Sequence, residues 1–280
     1  MIRIAPDELQ AWSKYIYEIT GISLDESKGY LLETRMDKLL RETASASFSE
    51  LFYKVKSDFS TLLRRRVIES ITTNETSFFR DTAPFDLLLN KVIPDLIDRR
   101  IKALGNARQI PIRIWSAACS SGQEVYSIGI VLKELLGDLS RWDIRIVGTD
   151  ISDKVVAQAS YGLYNKFELE RGMTGDRLAK YFIPQGSDWK IGDEIRALAT
   201  FKTMNLLEPF VFPYKFDIVL CRNVAIYFGE SDKLRLFNAI GRAFATDGVL
   251  IIGSTESILG LCPEFEAKRY MRAVFYQKKN

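Results

Sequence analysis

The chain has 280 residues, 47% of them hydrophobic and 27% charged, with a net charge of +3. That is the composition of a folded globular protein of about two domains, and so mild a charge speaks against a nucleic-acid footprint over the whole chain. It contains no histidine, which excludes Ser-His-Asp and Cys-His nucleophiles, His-ligated metals and the commonest general base near neutral pH.

Residues 1–70 read as a helical N-terminal domain. Leu9, Trp12, Tyr15, Ile16 and Ile19 recur near a 3.6-residue period and predict a helix over Ala5–Gly21, opened by Pro6, Asp7 and Glu8. Leu31, Leu32, Met36, Leu39 and Leu40 predict a second helix over Gly29–Thr43, and Ser47–Val55 and Asp58–Ser70 give two shorter ones. Residues 71–84 read as an interdomain linker, and Phe85–Ile101 as a helix leading into a second domain over 85–280. There, strands are expected at Arg113–Ala118, Ile144–Thr149, Phe216–Cys221, Val249–Ser254 and Ala273–Lys278. Helices are expected between them at Glu124–Leu136, Ser152–Ser160 and Ser231–Ala245. Apolar strands alternating with helices imply an α/β fold, a doubly wound and mainly parallel sheet covered on both faces. Trp189–Phe201 interrupts the alternation and predicts a small antiparallel β insertion over about 187–203, with a turn at Gly192-Asp193.

Cys119, Cys221 and Cys262 are scattered and odd in number, so neither a disulfide framework nor a zinc site is expected; buried reduced thiols are. The N-terminus has no signal-peptide pattern, and no apolar run reaches the roughly 18–20 residues that cross a bilayer. The expectation is a cytoplasmic protein with no membrane insertion, and nothing calls for more than a monomer.

Five features could carry chemistry. The first strand runs into the small-residue turn Ala117-Ala118-Cys119-Ser120-Ser121-Gly122, at the carboxyl edge of the sheet where such folds bind ligands. Asp150 ends the second strand, placed to accept hydrogen bonds from ribose hydroxyls or to cap the next helix. Together they favour an adenosine-type ligand. The turn lacks the three glycines of a dinucleotide loop, and Glu124 in the first helical turn would repel phosphate while suiting a sulfonium or an α-ammonium. Thr72–Arg80 (TTNETSFFR) is a polar cluster in the linker whose Arg80 could clamp a carboxylate. Cys221–Phe228 (CRNVAIYF) again leaves the carboxyl edge of a strand, with Arg222 and Asn223 facing the cleft and Tyr227 reaching over it. Arg35, Lys38 and Arg41 share one stripe of the second helix, a solvated face or a docking surface for an acidic partner.

TTNETSFFRD, RIWSAACSSGQEVYSIG, GTDIS, MNLLEP, FDIVLCRNVAIYF and DGVLIIGSTES occur in the order seen in CheR-type chemoreceptor methyltransferases, and the chain resembles that family over nearly its whole length. The resemblance implies a Rossmann-like methyltransferase domain that transfers a methyl group from S-adenosylmethionine to glutamate side chains on the cytoplasmic helices of chemoreceptors, leaving S-adenosylhomocysteine. It implies cofactor contacts from Asn74, Thr76, Arg80, Ala117, Glu124, Asp150, Asn205, Leu206, Asn223 and Val224. It places Tyr227 near the transferring methyl and puts Arg35, Lys38 and Arg41 on the helix that meets the receptor; Arg80, orienting a carboxylate, and Tyr227, lining the methyl path, are the expected catalytic residues. Val125 stands where the family loop has proline, a position in a first helical turn that tolerates valine. The segment between Tyr181-Phe182 and Asn205-Leu206 is short for the family's enteric members, where it docks a receptor's C-terminal pentapeptide, so that tethering is in doubt. Other readings of the same residues are a carboxyl methyltransferase for another protein or a small acid, a cofactor-sensing module without turnover, and an NAD-dependent oxidoreductase, which the loop chemistry disfavours.

Overall fold

The computed structural model describes residues 2–105 and 109–279. The N-terminal helices are α1 (Pro6–Thr20), α2 (Gly29–Glu42), α3 (Phe48–Ser57) and α4 (Leu62–Ile71). They close on a core of their own, in which Trp12, Ile16, Leu32, Met36, Phe48 and Leu51 are fully buried. Gly21 ends α1 in a left-handed conformation (φ 74°) and returns its N–H to Tyr17, the usual glycine stop. The helix expected to begin at Asp58 begins at Leu62 instead, because the Asp58 carboxylate accepts from the Ser60 and Leu63 amides and holds residues 58–61 as a turn.

The expected helix over Phe85–Ile101 is α5 (Thr82–Leu87), a π-turn over Leu88–Val92, and α6 (Ile93–Leu104). Pro94 lies just beyond the π-turn, where a missing N–H and a ring that crowds residue 90 favour a wider turn. The elements that follow are β1 (Ile110–Ala117), α7 (Gln123–Leu136), β2 (Trp142–Asp150) and α8 (Asp153–Tyr161). A smaller set comes next: β3 (Leu163–Tyr164), α9 (Lys166–Glu170), α10 (Gly175–Tyr181), β4 (Phe182–Gln185), β5 (Asp188–Ile191) and α11 (Asp193–Arg196). The chain finishes with β6 (Ala199–Thr203), β7 (Phe216–Cys221), α12 (Glu230–Ala243), β8 (Phe244–Ile252), β9 (Phe265–Tyr270) and β10 (Ala273–Lys278).

The main sheet has the order β6-β2-β1-β7-β8-β10-β9. β6, β2, β1, β7 and β8 are parallel neighbours, and β10 and β9 close the far side antiparallel. This is the mainly parallel, doubly wound sheet that the alternation predicts. β9 lies outside the expected strands: Glu266, Lys268 and Arg269 give an edge strand too little apolar alternation to stand out.

The small antiparallel sheet is β3-β5-β4, so it starts upstream of the expected 187–203 span. Its hairpin turn is Gly186-Ser187, not Gly192-Asp193; Gly192 precedes α11. β6 leaves this sheet altogether and pairs parallel with β2, with Gly148 opposite Phe201. Half-apolar sequence suits an antiparallel piece, but an edge strand of the main sheet carries the same pattern.

Candidate active site

The order β6-β2-β1-β7 reverses direction between β1 and β7, so the loops after these strands open a crevice at their carboxyl ends. A cavity of about 300 Å³ lies there. Its sheet-side wall is Ala118–Ser120 after β1, Asp150 at the end of β2, Met204–Leu206 after β6 and Arg222–Val224 after β7. The opposite wall is the linker, residues 71–77 with Arg80, and the end of α1 through Arg35 of α2.

Asp150 is buried, and its two oxygens accept from the Ser120 amide at 2.8 Å and the Ser152 amide at 3.1 Å. Burial raises its pKa, against the pull of those backbone donors. The Ser120 hydroxyl in turn donates to the Asn74 carbonyl at 2.9 Å and ties the loop to the linker. The Cys119 and Gly122 amides are also spent, on the Thr149 and Cys119 carbonyls at 2.9 and 3.1 Å. These three amides are therefore not available to a pyrophosphate.

The linker is held from both sides. Phe78 is fully buried edge-on to Tyr164 (4.9 Å) and Phe182 (5.5 Å) of the small sheet. The Phe79 amide donates to the Ser127 hydroxyl of α7 at 3.0 Å. Phe79, Asp81, Ala118, Ser120 and Asn223 all adopt left-handed backbone with φ of 49°, 56°, 61°, 50° and 57°. Such conformations in non-glycine residues cost of order 1–3 kcal/mol each and persist where the surroundings over-determine them.

Arg222 organises the floor. Its side chain is 2% exposed and donates to Glu124 (2.7 Å), to Asp81 (2.9 Å) and to the Arg80 carbonyl (2.8 Å). Glu124 also accepts from the Ser116 hydroxyl at 2.7 Å. The sequence suggests that Glu124 could pair with a sulfonium or an α-ammonium. It lines the cavity paired with Arg222, a guanidinium that it shares with Asp81.

Of the residues singled out from sequence, Asn74, Thr76, Arg80, Glu124, Asp150, Asn205, Leu206, Asn223, Val224, Tyr227 and Arg35 all line this one cavity. Ala117 does not: it is the last residue of β1 and is buried in the core on one face of the sheet, and Ala118 takes its place at the wall. Arg80 donates to the Glu75 carbonyl at 2.8 Å. Asn205 reaches across to the Ile19 carbonyl of α1 at 3.2 Å.

The α2 stripe divides. Arg35 turns inward and donates to the Ile71 carbonyl and to Thr73, while Lys38 and Arg41 stay exposed on the outer face beside Glu42 and Asp37. Sequence reasoning misses Tyr164, whose hydroxyl supports the Ser121 carbonyl at 2.7 Å from a two-residue strand. Neighbours that meet only through the small sheet leave no local pattern to read.

The all-alpha domain of the CheR methyltransferases matches residues 7–72, and their SAM-binding domain matches residues 74–273. The chain belongs to the CheR methyltransferase family. It is similar to the chemotaxis protein methyltransferase Cher2 of Pseudomonas putida, 36% identical over 277 residues, covering 97% of this chain and 98% of that one. It is 34% identical over 277 residues to chemotaxis protein methyltransferase 1 of Pseudomonas aeruginosa, with 97% and 98% covered. This CheR methyltransferase uses S-adenosylmethionine, and its cavity fits that cofactor: a buried carboxylate at one end, small loop residues beside it, and polar linker residues facing them. Among the described residues, no helix is long and apolar enough to cross a membrane.

Proposed function

We propose that this protein esterifies glutamate side chains on the cytoplasmic helical region of chemoreceptors, the adaptation step of chemotaxis. The observation that carries the reading is the double wall of the cavity, in which the sheet edge and the helical domain face each other across the linker. A substrate bound to residues 1–70 is thereby presented to the cofactor held by residues 85–280, with residues 71–84 closing the side.

When bound, S-adenosylmethionine supplies a methyl group already activated by its positively charged sulfur. A glutamate side chain, with a pKa of about 4.3, is ionised at pH 7 and requires no general base, consistent with a chain that has no histidine. The protein's work is then positioning, which lowers a barrier by roughly 7–11 kcal/mol in favourable cases. Asp150 would accept from the ribose hydroxyls, and Asn205, Leu206, Asn223 and Val224 would flank the adenine side. Asn74, Thr76 and Arg80 would hold the amino-acid end, with Arg80 also orienting the incoming carboxylate. Tyr227 would line the methyl path. Lys38 and Arg41 on the outer face of α2 suit an acidic receptor helix. The short segment between Tyr181 and Asn205 leaves pentapeptide tethering outside the proposal.

The test is incubation with labelled S-adenosylmethionine and receptor cytoplasmic fragments. Base-labile label released as methanol supports the reading. Cofactor binding without any ester on receptor fragments points instead to another acceptor or to a sensing module. Titration with a receptor C-terminal pentapeptide decides whether tethering occurs.

A further inference from the structure

We infer that Glu256 is a positioning residue of the cofactor pocket, acting through Asn223. Parallel pairing of β7 with β8 sets Cys221 beside Ile252, so the residues just past both strands emerge together at the carboxyl edge. The chain turns at Gly253, with the Glu256 amide on the Gly253 carbonyl at 3.0 Å, and this turn swings the Glu256 side chain back over the strand ends. Its Oε2 accepts from the Asn223 amide at 2.7 Å and from the Gly253 amide at 2.8 Å. Its Oε1 accepts from the Ile226 amide at 3.2 Å. One carboxylate thus gathers three backbone N–H groups from two loops.

Two of those amides lie in the segment that carries Asn223, Val224 and Tyr227 to the cavity. Asn223 sits at φ 57°, in the left-handed region that asparagine enters more readily than other residues with a side chain. The charge-assisted bond from its own amide to Glu256 fixes the residue there. The packing leaves no slack: a Cβ on Gly253 would lie 2.5 Å from Glu256 Oε2 and 3.0 Å from the Asn223 side-chain amide. Glu256 does not line the cavity.

The inference rests on the reading of Asn223 as part of the cofactor wall, and its test needs binding alone. S-adenosylhomocysteine affinity is measured by calorimetry for wild type, Glu256→Ala, Glu256→Gln, Asn223→Ala and the two doubles with Asn223→Ala. Glu256→Ala is expected to weaken binding about tenfold, the order of one lost charge-assisted bond. Glu256→Gln, which keeps one acceptor oxygen, weakens it less. In the Asn223→Ala background both losses shrink to within about twofold, because the backbone N–H that Glu256 holds remains but the side chain it positions is gone. Losses that multiply undiminished in that background, or wild-type affinity in both single variants, overturn the proposal. Should Glu256→Ala fail to fold, the Glu256→Gln cycle decides the same question. Absence of receptor methylation by the wild-type protein would sink the proposed function and leave this result untouched.

Discussion

Arg222 and Glu124 meet at 2.7 Å from opposite sides of the β1–β7 reversal, one leaving β7 and the other opening α7. With Asp81 on the same guanidinium, this pair joins both strand loops to the linker. Arg222→Ala strands Glu124 in a poorly solvated place, and breaking a buried pair from one side costs about 3–5 kcal/mol. A clear drop in melting temperature is expected, together with loss of S-adenosylhomocysteine binding. Arg222→Lys keeps the charge and loses the fork, so it recovers only part of both.

Asp150 gives the site a pH dependence with a definite sign. Its pKa is raised by burial, so the folded protein holds that proton more tightly than the unfolded chain. Its contribution to stability therefore falls as pH rises from the ordinary aspartate value of about 3.9 through the raised value, and is flat above. Ribose hydroxyls donating to the carboxylate favour the ionised form, so S-adenosylhomocysteine should bind more tightly as pH rises through the same window. Calorimetry across that window checks this; Asp150→Asn is expected to bind at least about tenfold more weakly and to lose that component of the pH dependence.

Gly172 sits beneath the linker at φ 103°, where an added Cβ would fall 1.9 Å from the Phe78 carbonyl oxygen. Backbone cannot yield as a side chain tip can. Gly172→Ala should lower the melting temperature and weaken cofactor binding together, because Phe78 anchors the segment that ends in Arg80. An unchanged affinity would detach the linker from the site.

The division of α2 predicts a division of phenotypes. Lys38→Glu with Arg41→Glu should reduce methylation of receptor fragments through a higher KM, with S-adenosylhomocysteine affinity unchanged. Arg35→Ala should weaken cofactor binding as well, since Arg35 is bonded to Ile71 and Thr73 of the cavity wall. A purely electrostatic stripe would make the three positions equivalent.

The thiols should be silent. Cys119, Cys221 and Cys262 are buried, and burial pushes the first two far up and Cys262 to about 11. At pH 8 about one Cys262 in a thousand is thiolate. Native protein should react slowly with a disulfide reagent, and denaturant should release three equivalents, matching the three cysteines of the sequence.

Much of the fold and of the site is legible in the order of residues. A strand such as Phe216–Cys221, apolar but for Asp217, has few alternatives and keeps its bounds in the fold. The carboxyl-edge positions of Asp150 and Asn223 follow from counting along such strands, which is why they share a cavity. Less legible are elements decided by partners. Ala199–Thr203 is half-exposed and could pair anywhere by its own pattern; the slot beside β2 opposite Gly148 makes it the edge of the main sheet. Ala117 and Ala118 are the same residue type one place apart, and only the turn at φ 61° decides which faces the cavity.

The amino-acid sequence by itself determined the fold class, a chemistry without histidine, and the set of residues gathered at one sheet edge, because strand periodicity and residue type act locally. The tertiary structure alone decided the charges. Glu124 is paired with Arg222 from 98 positions further along the chain, and Arg35 is drawn from the outer stripe to the linker. Electrostatic partnership depends on distance in space, and a chain order that separates the partners carries no trace of it.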